Sequence, residues 1–131
     1  ESGAKSYGIY LHTTYKTLQK ADQDRYEWRF IDRVIFKGFT ESKQTVEILG
    51  YKNKISEDTK ILIKFFHKAL NYYYNRDWVN AIKFFEKSLK YESVSKNSYL
   101  NPSAIFIKRC NLYIECNPSL DWDGIHKLGR K

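Results

Sequence analysis

The hydrophobic positions of residues 61–89, ILIKFFHKALNYYYNRDWVNAIKFFEKSL, recur with a helical period. Ile61, Leu62, Phe65, Phe66, Ala69, Leu70 and Tyr73 follow three- and four-residue steps and share one face. Trp78, Ala81, Ile82, Phe85 and Leu89 do the same in a second segment. Asn75-Arg76-Asp77 interrupts the period, and the Asp77 carboxylate can accept from the free N–H groups that open the second helix. Each helix is too apolar to stand alone, so the two are expected to pack face to face as a helical hairpin.

Upstream the pattern differs. Residues 1–8 are polar and small, as at the fraying end of a helix. The apolar run 9–11 suits a strand, Thr13 or Thr14 can cap a short helix through Leu18, and residues 20–25 read as a charged loop. Residues 26–36, YEWRFIDRVIF, alternate as a strand with Trp28, Phe30, Val34 and Phe36 on one face, which Asp32 breaks. A turn region over 37–44, containing Gly38, leads to a second strand over 45–49 and completes a β-hairpin. Such a hairpin is marginal alone, and both its edges stay open unless something covers them. Ser56 is placed to cap the first long helix, with Glu57 and Asp58 at the positive end of its dipole. Downstream, residues 92–97 read as a polar loop and Asn101-Pro102 as a helix start. That third helix carries Ile105, Phe106, Leu112 and Tyr113 and should stop before Pro118. Trp122, in the tail LDWDGIHKL, is expected to pack back onto the helices. The fold class is α+β: a small β-hairpin, part of a larger sheet, followed by an all-α three-helix unit.

Composition narrows the partners. The chain has 131 residues, 17% aromatic, with a formal net charge of +8. That charge raises nucleic acid or an anionic membrane surface as partners. The basic residues are spread along the chain, however, and Glu86 interrupts the face shared by Lys83, Lys87 and Lys90. Nucleic-acid binding therefore ranks last among the readings. No apolar run reaches the roughly 18 residues of a membrane span, and no signal-peptide pattern is visible. The chain opens at Glu1 in mid-pattern and is expected to be a piece of something longer, with a cytoplasmic location and any membrane anchor upstream. Cys110 and Cys116, six apart on or near a helix, point to different faces and suit buried or free thiols. His12, His67 and His126 are isolated in sequence and read as ordinary surface or packed histidines, so no metal site is expected.

Two resemblances follow. Ala69 and Ala81, twelve apart, together with Phe65, Tyr72 and Phe85, resemble the small and large positions of a tetratricopeptide (TPR) repeat. Ser88 stands where a second small residue is usual and Ser93 where a proline is usual; a generic helical hairpin remains the alternative. A lone repeat cannot bury its apolar face, so something else must cover this one. As an interaction module the unit would offer Tyr72, Tyr73, Tyr74 and Arg76 as protein-binding candidates, because aromatic and Arg side chains dominate interfaces. Replacing Tyr74 and Arg76 with Ala is then expected to leave the fold intact.

The second resemblance spans almost the whole chain. It rests on ESGAKSYGIYLHTTYKTL at the start, RFIDRVIFKG over 29–38, residues 69–91, Ile107-Lys108-Arg109-Cys110, and Asp121-Trp122-Asp123-Gly124. These stretches resemble the C-terminal end of a class III adenylate/guanylate cyclase, of the bacterial kind whose catalytic domain precedes a short TPR-like tail. Residues 1–50 would end the catalytic domain, 51–58 would link, and 59–131 would form the tail. The resemblance implies a parent that converts ATP or GTP to the 3′,5′-cyclic nucleotide and pyrophosphate with Mg or Mn ions, in signal transduction. Only one site residue carries over: Lys37, for the triphosphate. A cation at a turn can meet negative charge that develops there. The metal-binding aspartates, the base selectors and the Asn/Arg helix would lie upstream of Glu1, and Asp22, Asp24 and Asp32 stand in the wrong context to replace them. The chain alone is therefore expected to contain no catalytic residue, to make no cyclic nucleotide, and to self-associate through its exposed hairpin edge or helical face.

Overall fold

The computed structural model describes residues 7–9, 11–93 and 100–127. The expected helix end over residues 1–6 and most of the loop over 92–97 lie outside the described residues. Short strand β1 (His12–Thr14) runs into α1 (Tyr15–Lys20). A 3-10 turn (Gln23–Arg25), β2 (Tyr26–Ile35) and β3 (Lys43–Tyr51) follow, and then α2 (Glu57–Tyr74), α3 (Trp78–Leu89), α4 (Pro102–Glu115) and β4 (Ile125–Lys127). The class is α+β, as the pattern predicts.

Local chemistry sets the helix ends. Thr14, Ser56, Asp77 and Asn101 each occupy an N-cap and accept from the backbone N–H three residues on. Between α2 and α3 the chain reverses through Arg76, whose φ of +64° is left-handed. Ala69 and Ala81 are fully buried where α2 meets α3, so the helices approach closely there. The core is aromatic. Phe66, Tyr73, Phe85 and Phe106 meet largely edge to face at centroid distances of 4.9–5.8 Å, and Trp122 packs between Tyr73 and Trp78 as expected.

The sheet is larger than the hairpin read from the pattern. Its order is β1-β3-β2-β4, so β1 covers the outer edge of β3 and β4 covers part of β2. β1 pairs antiparallel with β3 one residue beyond the predicted run 9–11, because His12 aligns with Glu47 while Leu11 stays exposed. β4 pairs parallel with β2 through Arg33–Ile125, Val34–His126 and Ile35–Lys127. Residues 125–127 therefore return to the sheet, and strands from both predicted units share it.

A β-bulge corrects the predicted face of β2. Phe30 aligns with Val46 but Arg33 with Gln44, so β2 carries one extra residue there. The alternation flips at that point. Arg29 and Ile31 are buried before it, Asp32 and Val34 after it, whereas Trp28 and Phe30 sit on the opposite, half-buried face. Asp32 thus does not interrupt an apolar face; the bulge carries it into the core.

Candidate functional site

The bulge exists beside charges that the core must satisfy. Arg29, 1% exposed, donates from Nε to Glu47 at 2.9 Å and from both Nη atoms to the two Glu92 oxygens at 2.9 Å. This fork joins β2 and β3 to the segment after α3. Ser103, at the start of α4, donates to Glu92 from its backbone N–H and its hydroxyl, and its hydroxyl lies 2.7 Å from that of Ser88. Burial raises the Glu47 pKa and the Arg29 charge opposes that rise. Burial also pulls the Arg29 pKa down, but Glu92 and Glu47 outweigh it and the guanidinium holds its proton more tightly than usual.

A second buried junction forms at Asp32. Arg109 of α4 donates from Nη1 to Asp32 Oδ2 at 2.9 Å and to the Tyr73 hydroxyl at 3.3 Å. Tyr7 donates its hydroxyl to the same carboxylate oxygen, and the Arg33 N–H donates to Oδ1. Burial and the neighbouring Asp32 charge push the Tyr7 hydroxyl far above the ordinary phenol range, so it acts as a neutral donor. Each junction pairs its charges across elements, as removal from water requires.

The last segment is fastened to the same surface. Arg76 donates to the carbonyls of Ser119 at 2.8 Å and Pro118 at 2.6 Å and to the Asn117 side chain. Arg33 donates to the Asp123 carbonyl at 3.2 Å and lies 3.8 Å over the Tyr74 ring. Gly124, at φ +84°, sits against that ring, where an added Cβ would come within 2.7 Å of ring carbons. Tyr74 and Arg76 thus contact the chain's own later segment, and replacing them removes those contacts. Of the other protein-binding candidates, Tyr73 is core, and half-buried Tyr72 stacks on Phe84 at 5.6 Å.

Lys37 stands exposed in the connection between β2 and β3. Gly38 follows it at φ +86° with open space around it, so this turn needs glycine for its backbone and not for a close contact. The two cysteines separate as expected: Cys110 is buried and Cys116 exposed. Burial pushes the Cys110 thiol up to about 12. Among the described residues no three His, Cys, Asp or Glu side chains gather as a metal site, and no described helix is long and apolar enough to cross a membrane.

One feature escapes the sequence altogether. His67 Nε2 accepts the Phe30 N–H at 2.9 Å, which caps an N–H on β2 beyond the reach of β4. Burial, with the nearby Arg29 charge, lowers the His67 pKa to about 4. His67 also lines a cleft of about 350 Å³ between α2 and β2, with Phe30, Asp32, Arg33, Gln44, Leu70, Asn71 and Tyr74. Positions 67, 70, 71 and 74 form one stripe of α2, but nothing in that spacing reveals that a bulged strand faces it. No protein-family model, curated protein or solved structure matches the chain.

Proposed function

We propose that this chain is the C-terminal end of a class III adenylate or guanylate cyclase. Its parent would convert ATP or GTP to the 3′,5′-cyclic nucleotide and release pyrophosphate at Mg or Mn ions held by residues outside this chain. What supports the reading is that the separate stretches carrying the resemblance meet in space. Arg33 of the RFIDRVIFKG strand reaches the Asp123 carbonyl, Arg109 of the Arg-Cys element reaches Asp32, and Gly124 seats under Tyr74. The helical tail is then a clamp on the last strands of a catalytic sheet. Lys37, free to extend from its turn, supplies a point charge for the triphosphate. The test is a cyclase assay on the polypeptide extended upstream by one catalytic domain, with ATP and GTP separately and Mg or Mn. Product is expected from the wild type, with a large loss in the Lys37→Ala variant. Product unaffected by the substitution removes the site, and no product with either nucleotide removes the family.

A second reading is a TPR-like protein–protein interaction or dimerisation module. It draws on Val79 of α3 and Leu112 and Ile114 of α4, which are large apolar side chains left exposed. Light scattering across a concentration series tests it: growth in mass supports self-association, and a strictly monomeric mass at high concentration counts against it.

A further inference from the structure

The cleft between α2 and β2 has a definite chemistry. Its volume, about 350 Å³, lies within the roughly 300–1,000 Å³ of small-molecule sites. Phe30, Leu70 and the Tyr74 ring supply apolar wall. The polar side chains include several that carry donors. With Nε2 accepting from Phe30, a neutral His67 ring carries its proton on Nδ1. Gln44 and Asn71 each bring an amide NH₂.

Charge points the same way. The Asp32 carboxylate also lines the cleft, but Arg109 meets its charge at 2.9 Å, and Tyr7 and the Arg33 N–H occupy its oxygens further. The balance left is the positive charge of Arg33. Its guanidinium carbon lies 3.8 Å from the centroid of the Tyr74 ring, with Nη1 on the Asp123 carbonyl. A guanidinium has five N–H donors in a fixed fork, so one such bond leaves donors for a ligand. A cation already stacked and oriented also loses less freedom on binding.

We propose that this cleft binds a small planar organic carboxylate, its ring against Phe30, Leu70 and Tyr74 and its carboxylate on Arg33. A planar acceptor anion satisfies both halves of the lining: the apolar wall takes the ring, and the Arg33 fork matches the carboxylate. Asn71 and His67 also line the cleft and carry N–H donors. The proposal is independent of the cyclase reading and concerns this chain's own residues.

Benzoate is the probe. The 131-residue protein is titrated with sodium benzoate while the side-chain ¹H–¹⁵N signals of Arg33 and Asn71 are followed. Benzyl alcohol carries the ring without the charge, acetate the charge without the ring, and inorganic phosphate a different anion. Benzoate should give saturable shifts at those two residues and bind about tenfold or more tighter than each control. Arg33→Gln should weaken it by about tenfold or more. Because Arg33 also braces the tail, Asn71→Trp serves as the second variant: it fills the cleft from an exposed helix position and should abolish the shifts while thermal unfolding stays close to wild type. Benzoate no tighter than benzyl alcohol overturns the proposal. So does equal binding of acetate or phosphate, or unchanged binding to a folded Asn71→Trp protein.

Discussion

Replacing Arg109 with Met should be among the most damaging single changes in this chain. Arg109 is 7% exposed and Asp32 2%, with 2.9 Å between Nη1 and Oδ2. Methionine keeps much of the apolar stem against Phe106, over whose ring the guanidinium now lies at 4.6 Å. The variant therefore reports mainly on charge. Among the described residues it leaves that core carboxylate the Tyr7 hydroxyl and the Arg33 N–H. Breaking a buried pair from one side costs about 3–5 kcal/mol. A domain of this size has only about 5–15 kcal/mol in total, so the melting temperature should fall on the order of 10–20 °C. The double variant Arg109→Met/Asp32→Asn removes both charges and should cost clearly less than the sum of the two single changes. Urea unfolding of all four proteins gives the coupling energy. A loss below about 1 kcal/mol for Arg109→Met, or strict additivity, would refute the claim that this pair locks α4 onto the sheet.

Three further outcomes are expected. The folded protein keeps His67 neutral down to about pH 4, whereas its ordinary pKa is 6.5. Between those values the unfolded chain binds more protons, so the contribution is complete above about pH 6.5 and is lost as pH falls towards 4, up to about 3 kcal/mol. His67→Gln keeps an acceptor for the Phe30 N–H and should flatten that part of the stability–pH curve; identical slopes would show that His67 is not held neutral. Arg76→Asn tolerates the left-handed turn but drops the guanidinium bonds to residues 117–119, so amide exchange over 117–127 should accelerate with about 1 kcal/mol of global loss. Unchanged exchange there would mean that the ring packing of Trp122 suffices. In thiol titration of the native protein Cys116 should react quickly and Cys110 only on unfolding, given its burial and raised pKa; two fast thiols would contradict the packing of α4.

The helices were legible because their signals are local. Ser56, Asp77 and Asn101 cap where their positions before apolar periods place them, and Ala69 and Ala81 are both fully buried in the core. The strands were legible only in part. β1 and β4 have three residues each, too few to show an alternation, and they exist because neighbouring strands offer them partners. The bulge at Ile31 and Asp32 cannot be seen in the alternation it reverses. The ionic junctions pair residues far apart in sequence, Arg29 with Glu92 and Asp32 with Arg109, and charge patterning reaches only near neighbours. One clue was present: Asp32 inside an apolar strand and Arg109 beside the apolar stripe of α4 are charges where water is expected to be absent, which calls for a partner. The cleft lining combines both problems, since its α2 stripe is regular and its β2 side depends on the bulge.

The most direct test of the cyclase reading compares two polypeptides in one assay. The 131-residue chain is incubated with ATP or GTP and Mg or Mn beside the polypeptide extended upstream by one catalytic domain, as the proposal requires, and cyclic nucleotide is measured. The account predicts product from the extended polypeptide and none from the chain alone. Cyclic nucleotide from the isolated chain, or none from the extended one with either nucleotide and either metal, would contradict it.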